Sequence, residues 1–178
     1  MRILLILFLC LSSFFLKAQS ASAVYIDKYN SLALEVMNNY GIPASLILGI
    51  ALQESASGTS KLCRVKHNHF GVKGRIKSTK TKSGYTTSYR SFDTDEDSYL
   101  FMGELISHRK YYKGLKDNMD YMKWLKAIKA AGYARSPSWI SEVDKMIKRN
   151  DLTRFDLQEP TSIIPKLQIR DTIPVLVR

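Results

Sequence analysis

One carboxylate in this sequence stands where its surroundings should change its chemistry. Glu54 belongs to the stretch Ala51-Leu52-Gln53-Glu54-Ser55-Ala56-Ser57-Gly58, at the end of a run holding Leu46, Ile47, Leu48, Ile50, Ala51 and Leu52. A helix that is apolar all round is a buried one. Burial disfavours the charged carboxylate, and the negative end of a helix dipole does the same, so both hold the proton on Glu54 more tightly. A carboxyl protonated near neutral pH is what a glycosidase needs to protonate a departing sugar oxygen. Position alone leaves a second reading open, a Glu that points into water or caps the next turn, as most carboxylates do. Cys63, His67 and His69 are the other reactive side chains nearby. Zinc sites draw on three or four ligands at characteristic spacings, which are absent, and a cysteine nucleophile needs a positioned base in a recognisable motif. No metal and no cofactor are expected.

The elements that must position Glu54 read as mostly helical. Tyr25, Ile26, Tyr29, Leu32, Ala33, Val36, Met37 and Tyr40 recur at the spacing of one helical face, and Gly41 supplies a stop. Pro43 opens the apolar helix that runs to about Glu54. Between Gly58 and Arg90 the period disappears, and the alternation Tyr85-Thr86-Thr87-Ser88-Tyr89 predicts a loop followed by a small hairpin lobe. Thr94 and Asp97 resemble a capping pair before another helix, Met119 to Ala131 forms the next, and a last one opens near Ser136 and Pro137 to bury Trp139, Ile140, Val143, Met146 and Ile147. The fold class expected is α+β, mainly α.

Residues 1–18 have the pattern of an export signal: Arg2, an apolar run from Ile3 to Leu16, and small residues at Ala18, Ala21 and Ala23. Cleavage after Ala18 fits the length of the run and cleavage after Ala23 the small-x-small pattern; an uncleaved anchor is the alternative. The expected layout is a leader over 1–18, extending to 23 if the later site is used, a domain over 24–156, and an extended tail over 157–178 broken by Pro160, Pro165 and Pro174. Without the leader Cys63 is the sole cysteine, so no intramolecular disulfide can form, and 25 basic side chains face 16 acidic ones, a formal charge of +9. Such a surface seeks a polyanion. Three polyanions are plausible, nucleic acid, anionic lipid and a bacterial wall carrying peptide carboxylates or anionic polymers; export and the absence of nucleic-acid-binding signatures count against the first, and charge alone does not decide. The protein is expected to be monomeric, without stable membrane insertion, and periplasmic, envelope-associated or extracellular.

Gln53-Glu54-Ser55-Ala56-Ser57-Gly58 followed by Asn68-His69-Phe70-Gly71-Val72-Lys73 resembles the signature of the glucosaminidase family, glycoside hydrolase family 73. Tyr89-Arg90-Ser91-Phe92 with Asp97-Ser98, and Gly132-Tyr133-Ala134-Arg135, resemble later pieces of the same pattern, in order. The resemblance implies a lysozyme-like helical domain with a small β-hairpin lobe over the cleft, and hydrolysis of the β-1,4 bond after N-acetylglucosamine in peptidoglycan glycan strands. Carried over by position, Glu54 is the acid, Tyr133 the active-site tyrosine, and Gln53, Ser57, Asn68, His69, Phe70, Gly71 and Tyr89 contact substrate. The sequence departs from the pattern at Ala56, Ser57 and Gly58, where the family has tryptophan-glycine. No Asp or Glu occurs from Ser55 to Phe92, although many relatives bring a second carboxylate from the lobe. A lytic transglycosylase on the same fold and a catalytically silent wall-binding module are the competing expectations.

Overall fold

A computed structural model describes residues 20–74 and 89–158. The leader, the stretch 75–88 that holds most of the expected hairpin, and the tail beyond 158 lie outside the described residues.

Helix α1 (Ala21–Tyr40) starts where the Ser20 side chain accepts the Ala23 amide, and it ends at Gly41, whose positive φ lets its N–H return to the Met37 carbonyl. Its buried face carries Tyr25, Ile26, Tyr29, Ala33, Val36 and Met37, the three-and-four spacing read from the sequence. Helix α2 (Ala44–Ser55) is buried at every position from Ala44 to Leu52 and forms the axis of the core. Its N-terminal end is held by Asp156, which accepts from both the backbone N–H and the hydroxyl of Ser45, at 2.8 and 2.5 Å. A carboxylate there complements the positive end of the helix dipole.

A six-residue helix, α3 (Lys61–Lys66), follows, capped by Ser60. The sequence reading left this stretch as loop, because one and a half turns show no legible period. The backbone then runs through 67–73 to an antiparallel bridge between Lys73 and Tyr89. Helix α4 (Asp95–Ser107) opens with a complete capping box between Thr94 and Asp97, as the sequence suggested, and packs on α1. A single turn α5 (Tyr112–Leu115), helix α6 (Tyr121–Ala130) capped by Asp120, helix α7 (Trp139–Arg149) and a 3₁₀ turn (Leu152–Phe155) complete the domain.

Helix α2 is wrapped by α1, α6, α7 and the 3₁₀ turn. The seam between α2 and α7 is tightest at Gly49, where a Cβ would stand 2.5 Å from Ile147 Cγ1. That close approach sets the first turn of α7 against the last turn of α2, and Glu54 lies on that last turn. Among the described residues no helix is long and apolar enough to cross a membrane.

Candidate active site

Glu54 faces a cleft of about 690 Å³. Its walls come from α2 (Gln53, Glu54), the 70–73 segment (Phe70, Gly71, Val72, Lys73), the end of α4 with the turn after it (Leu105, Arg109), the 132–136 segment and the start of α7 (Trp139, Glu142). The two oxygens of Glu54 have different surroundings. Oε1 accepts the indole N–H of buried Trp139 at 2.8 Å. Oε2 has no hydrogen-bond partner among the described residues and lies beside Gly71, where a Cβ would stand 3.4 Å from it. An oxygen that already accepts an N–H is the poorer place for a proton, so a proton on this carboxyl would sit on Oε2. Burial raises the affinity of Glu54 for that proton, the Trp139 hydrogen bond opposes this, and the nearby Glu142 charge adds to it.

Tyr133 donates its hydroxyl to the Phe70 carbonyl at 2.7 Å, and its ring tilts against Trp139 with centroids 5.4 Å apart. Burial and the charge of Glu54 push its pKa well above the ordinary tyrosine value, so the hydroxyl stays neutral. With its hydrogen committed to Phe70, the Tyr133 oxygen remains available as an acceptor.

Of the residues expected to contact substrate, Gln53, Phe70 and Gly71 line the cleft with Glu54 and Tyr133. Four others are placed elsewhere. Asn68 is buried and ties the backbone of its own segment, donating to the carbonyls of Val72 and Arg90 and accepting from the Val72 amide. His69 is fully buried behind the cleft. Ser57 stands at a left-handed position after α2 and bonds Ser22 at 3.0 Å. Tyr89 is exposed at the Lys73 bridge.

His69 belongs to a closed polar network. Asp95 accepts at Oδ1 from His69 Nε2 (3.0 Å) and His67 Nδ1 (2.7 Å), and at Oδ2 from the Tyr29 hydroxyl (2.9 Å). The other ring nitrogen of His69 lies 2.6 Å from the Tyr25 hydroxyl, which is 3.0 Å from that of Tyr99. One direction of donation satisfies every group: Tyr99 to Tyr25, Tyr25 to Nδ1, and Nε2–H to Asp95. Burial lowers the proton affinity of His69, in keeping with this neutral ring. Burial works against ionisation of Asp95, but hydrogen bonds from His69, His67 and Tyr29 outweigh it and hold the carboxyl below the usual range. Cys63 touches the His69 ring at 3.4 Å, yet burial pushes its thiol up to about 11, so it is no nucleophile. Among the described residues no cluster of His, Cys, Asp and Glu is arranged to hold a metal.

Sequence reasoning missed Trp139 and Glu142 as parts of the site, reading the first as core and the second not at all. A buried tryptophan needs an acceptor for its N–H, and that requirement was the available signal for Trp139.

The family model described as mannosyl-glycoprotein endo-beta-N-acetylglucosaminidase, Glucosaminidase, matches residues 30–152. The chain belongs to this glucosaminidase family. It is 25% identical over 154 residues to the exo-glucosaminidase LytG of Bacillus subtilis, covering 78% of this chain and 55% of the relative. It is 26% identical over 157 residues to a probable N-acetylmuramidase of Lactococcus lactis, covering 78% of this chain and 36% of that protein. The chain thus spans about half the length, or less, of these relatives. The same fold occurs in the catalytic domain of the autolysin Auto from Listeria monocytogenes, with TM-score 0.65, 20% identity, and coverage of 77% of this chain and 88% of that one. It occurs too in the glycoside hydrolase domain of FlgJ from Salmonella typhimurium, with TM-score 0.61, 21% identity, and coverage of 75% and 90%. The mainly helical, lysozyme-like architecture is therefore shared.

Proposed function

We propose that the chain is an exported N-acetylglucosaminidase that cuts the β-1,4 bond following N-acetylglucosamine in peptidoglycan, with Glu54 as general acid. The observation that carries this reading is the unequal environment of the Glu54 carboxyl, one oxygen fixed by Trp139 and the other open to the cleft beside Gly71. Family membership supplies the reaction class. In the first step Oε2 gives its proton to the glycosidic oxygen as the bond from C1 to that oxygen breaks. The carbonyl oxygen of the substrate's own 2-acetamido group attacks C1 and forms an oxazolinium ring. Water then opens the ring and returns a proton to Glu54. Tyr133, whose oxygen can only accept, suits the acetamido N–H and thereby aims the carbonyl at C1. Gln53, Phe70 and Gly71 shape the sugar subsite, while Asn68, His69, Ser57 and Tyr89 support it from outside the lining.

Lys73, Arg109 and Arg135 give the cleft a cationic rim suited to the carboxylates of the wall. Removal of residues 1–18 leaves the Ser20 cap of α1 in place, whereas cleavage after Ala23 removes it, which favours the earlier site.

Digestion of purified peptidoglycan by the protein lacking residues 1–18, followed by mass spectrometry, tests the proposal. Reducing N-acetylglucosamine ends are expected. Anhydromuramic ends would make the enzyme a lytic transglycosylase, and wall binding without sugar release a silent module.

A further inference from the structure

The cleft holds a second carboxylate, and it comes from α7. Glu142 lines the same cavity as Glu54. Its Oε2 accepts from Gln53 Nε2 at 3.1 Å and its Oε1 from the Ser138 hydroxyl at 2.7 Å. Gln53 precedes Glu54 on the last turn of α2, and Ser138 precedes Trp139 at the start of α7. The two helices are thus clasped twice, by Trp139 on Glu54 and by Gln53 on Glu142.

A structural tie between helices would be served equally well by a neutral glutamine at 142, but a carboxylate brings charge. Both oxygens of Glu142 accept from neutral donors, and no cation pairs with it among the described residues. Its charge therefore remains uncompensated beside Glu54. The other groups facing the cleft differ in kind. Tyr133 is neutral, while Lys73 from the 70–73 segment, Arg109 from the turn after α4 and Arg135 from the segment before α7 are positive. Among the described residues Glu142 is the one negative side chain that lines the cleft with Glu54, and it is held on the α7 turn that also supplies Trp139.

We propose that Glu142 is the positioning residue of the site: clamped by Gln53 and Ser138, it holds a negative charge against Glu54 that helps keep the acid proton in place. The inference rests on Glu54 being the general acid. It assigns Glu142 no contact with the reacting atoms, and Gln53 anchors it while also lining the subsite.

The test is a pair of measurements on the protein lacking residues 1–18, for the native sequence, Glu142→Gln and Glu142→Asp. The first follows the Glu54 carboxyl by ¹³C NMR during a pH titration without substrate. Its midpoint should fall by about half a pH unit or more in Glu142→Gln, from loss of a like charge across the cleft, and should largely return in Glu142→Asp. The second is the pH profile of kcat/KM on soluble glycan strands, where the basic limb should move down by the same amount while the plateau at lower pH falls less than about tenfold. An unchanged Glu54 midpoint in folded Glu142→Gln would reduce Glu142 to a structural tie. A uniform loss of a hundredfold or more at every pH, with fold retained, would instead make it the reacting base and overturn the positioning role. A moved midpoint in a protein that cleaves no glycan would sink the proposed activity and leave the coupling of the two carboxylates standing.

Discussion

Replacing Trp139 with Phe should move Glu54 in the opposite direction from Glu142→Gln. The indole N–H reaches Glu54 Oε1 at 2.8 Å, and phenylalanine keeps an aromatic ring but has no donor. A hydrogen bond to a charged acceptor is worth about 1.5–3 kcal/mol and one to a neutral acceptor about 0.5–1.5, so the indole favours the ionised carboxylate by about 1 kcal/mol. At about 1.4 kcal/mol per pH unit, its loss should raise the Glu54 titration by about 0.7 of a unit. The basic limb of the pH profile should follow upward. Two further costs accompany the shift. Trp139 is only 3% exposed, so the smaller ring leaves a void costing on the order of 1–2 kcal/mol of stability. The freed carboxyl also loses its orientation, which should lower the plateau rate about tenfold. Reducing-end release from peptidoglycan across pH, with a thermal melt of each protein, gives all three numbers. A basic limb that stays put or moves down in a folded Trp139→Phe would refute the assignment of Oε1 as the fixed oxygen and Oε2 as the acid.

Glu54→Gln should reduce glycan cleavage by on the order of a hundredfold or more with the melting temperature unchanged, and near-normal turnover would remove Glu54 from the mechanism. Gly71→Ala adds a Cβ 3.4 Å from Glu54 Oε2 at a left-handed φ of +63, so it should cost about 1–2 kcal/mol in a chemical melt and lower kcat/KM; a variant indistinguishable from the native protein would contradict the close approach. Stability should fall on acidification. His69 is held neutral, so below about pH 6.5 the unfolded chain takes up its proton first, and the depressed Asp95 carboxyl adds a further loss as pH drops below about 4. Asp95→Asn should melt lower than the native protein at neutral pH and converge with it at acid pH, whereas parallel curves would mean that the Asp95 charge contributes nothing. Attack by the acetamido group inverts C1 twice, so NMR of fresh digests should show the β anomer first; initial release of the α anomer would exclude that route.

The sequence foretold the helices whose apolar period persists for three turns or more. Helix α1 declares itself through Tyr25, Tyr29, Val36 and Met37, and α4 through the Thr94–Asp97 box. Helices α3 and α5 and the 3₁₀ turn went unread because six or four residues cannot display a period. The place of Glu54 was legible for a physical reason, a polar residue ending an otherwise apolar helix, whereas its proposed role came from the resemblance. Trp139 and Glu142 were not, since they lie 85 and 89 residues from the partners they meet, and only the close crossing at Gly49 brings them together. Between Ser55 and Phe92 the sequence holds no carboxylate, and Glu142 reaches the cleft from α7 instead.

The placement of Asn68 and His69 shows how a motif can be specific without all of its residues lining the cleft. The 67–73 segment must put Gly71 beside Glu54 and present the Phe70 carbonyl to Tyr133, and a segment doing this has little regular structure of its own. Its backbone groups need partners from elsewhere. Asn68 partners both the N–H and the carbonyl of Val72 and also reaches the Arg90 carbonyl, and the His69 amide finds the Ser98 hydroxyl at 3.2 Å. The His69 ring then needs partners for both nitrogens, which Tyr25 and Asp95 provide from α1 and α4. A buried network of this kind is costly when any member is missing, because the remaining groups are left unpaired in a low dielectric. The residues behind the segment are therefore as constrained as those in front of it, and a sequence pattern records both without distinguishing them. Only the direction of each side chain separates Glu54 and Tyr133, which line the cleft, from the scaffold that holds them in register.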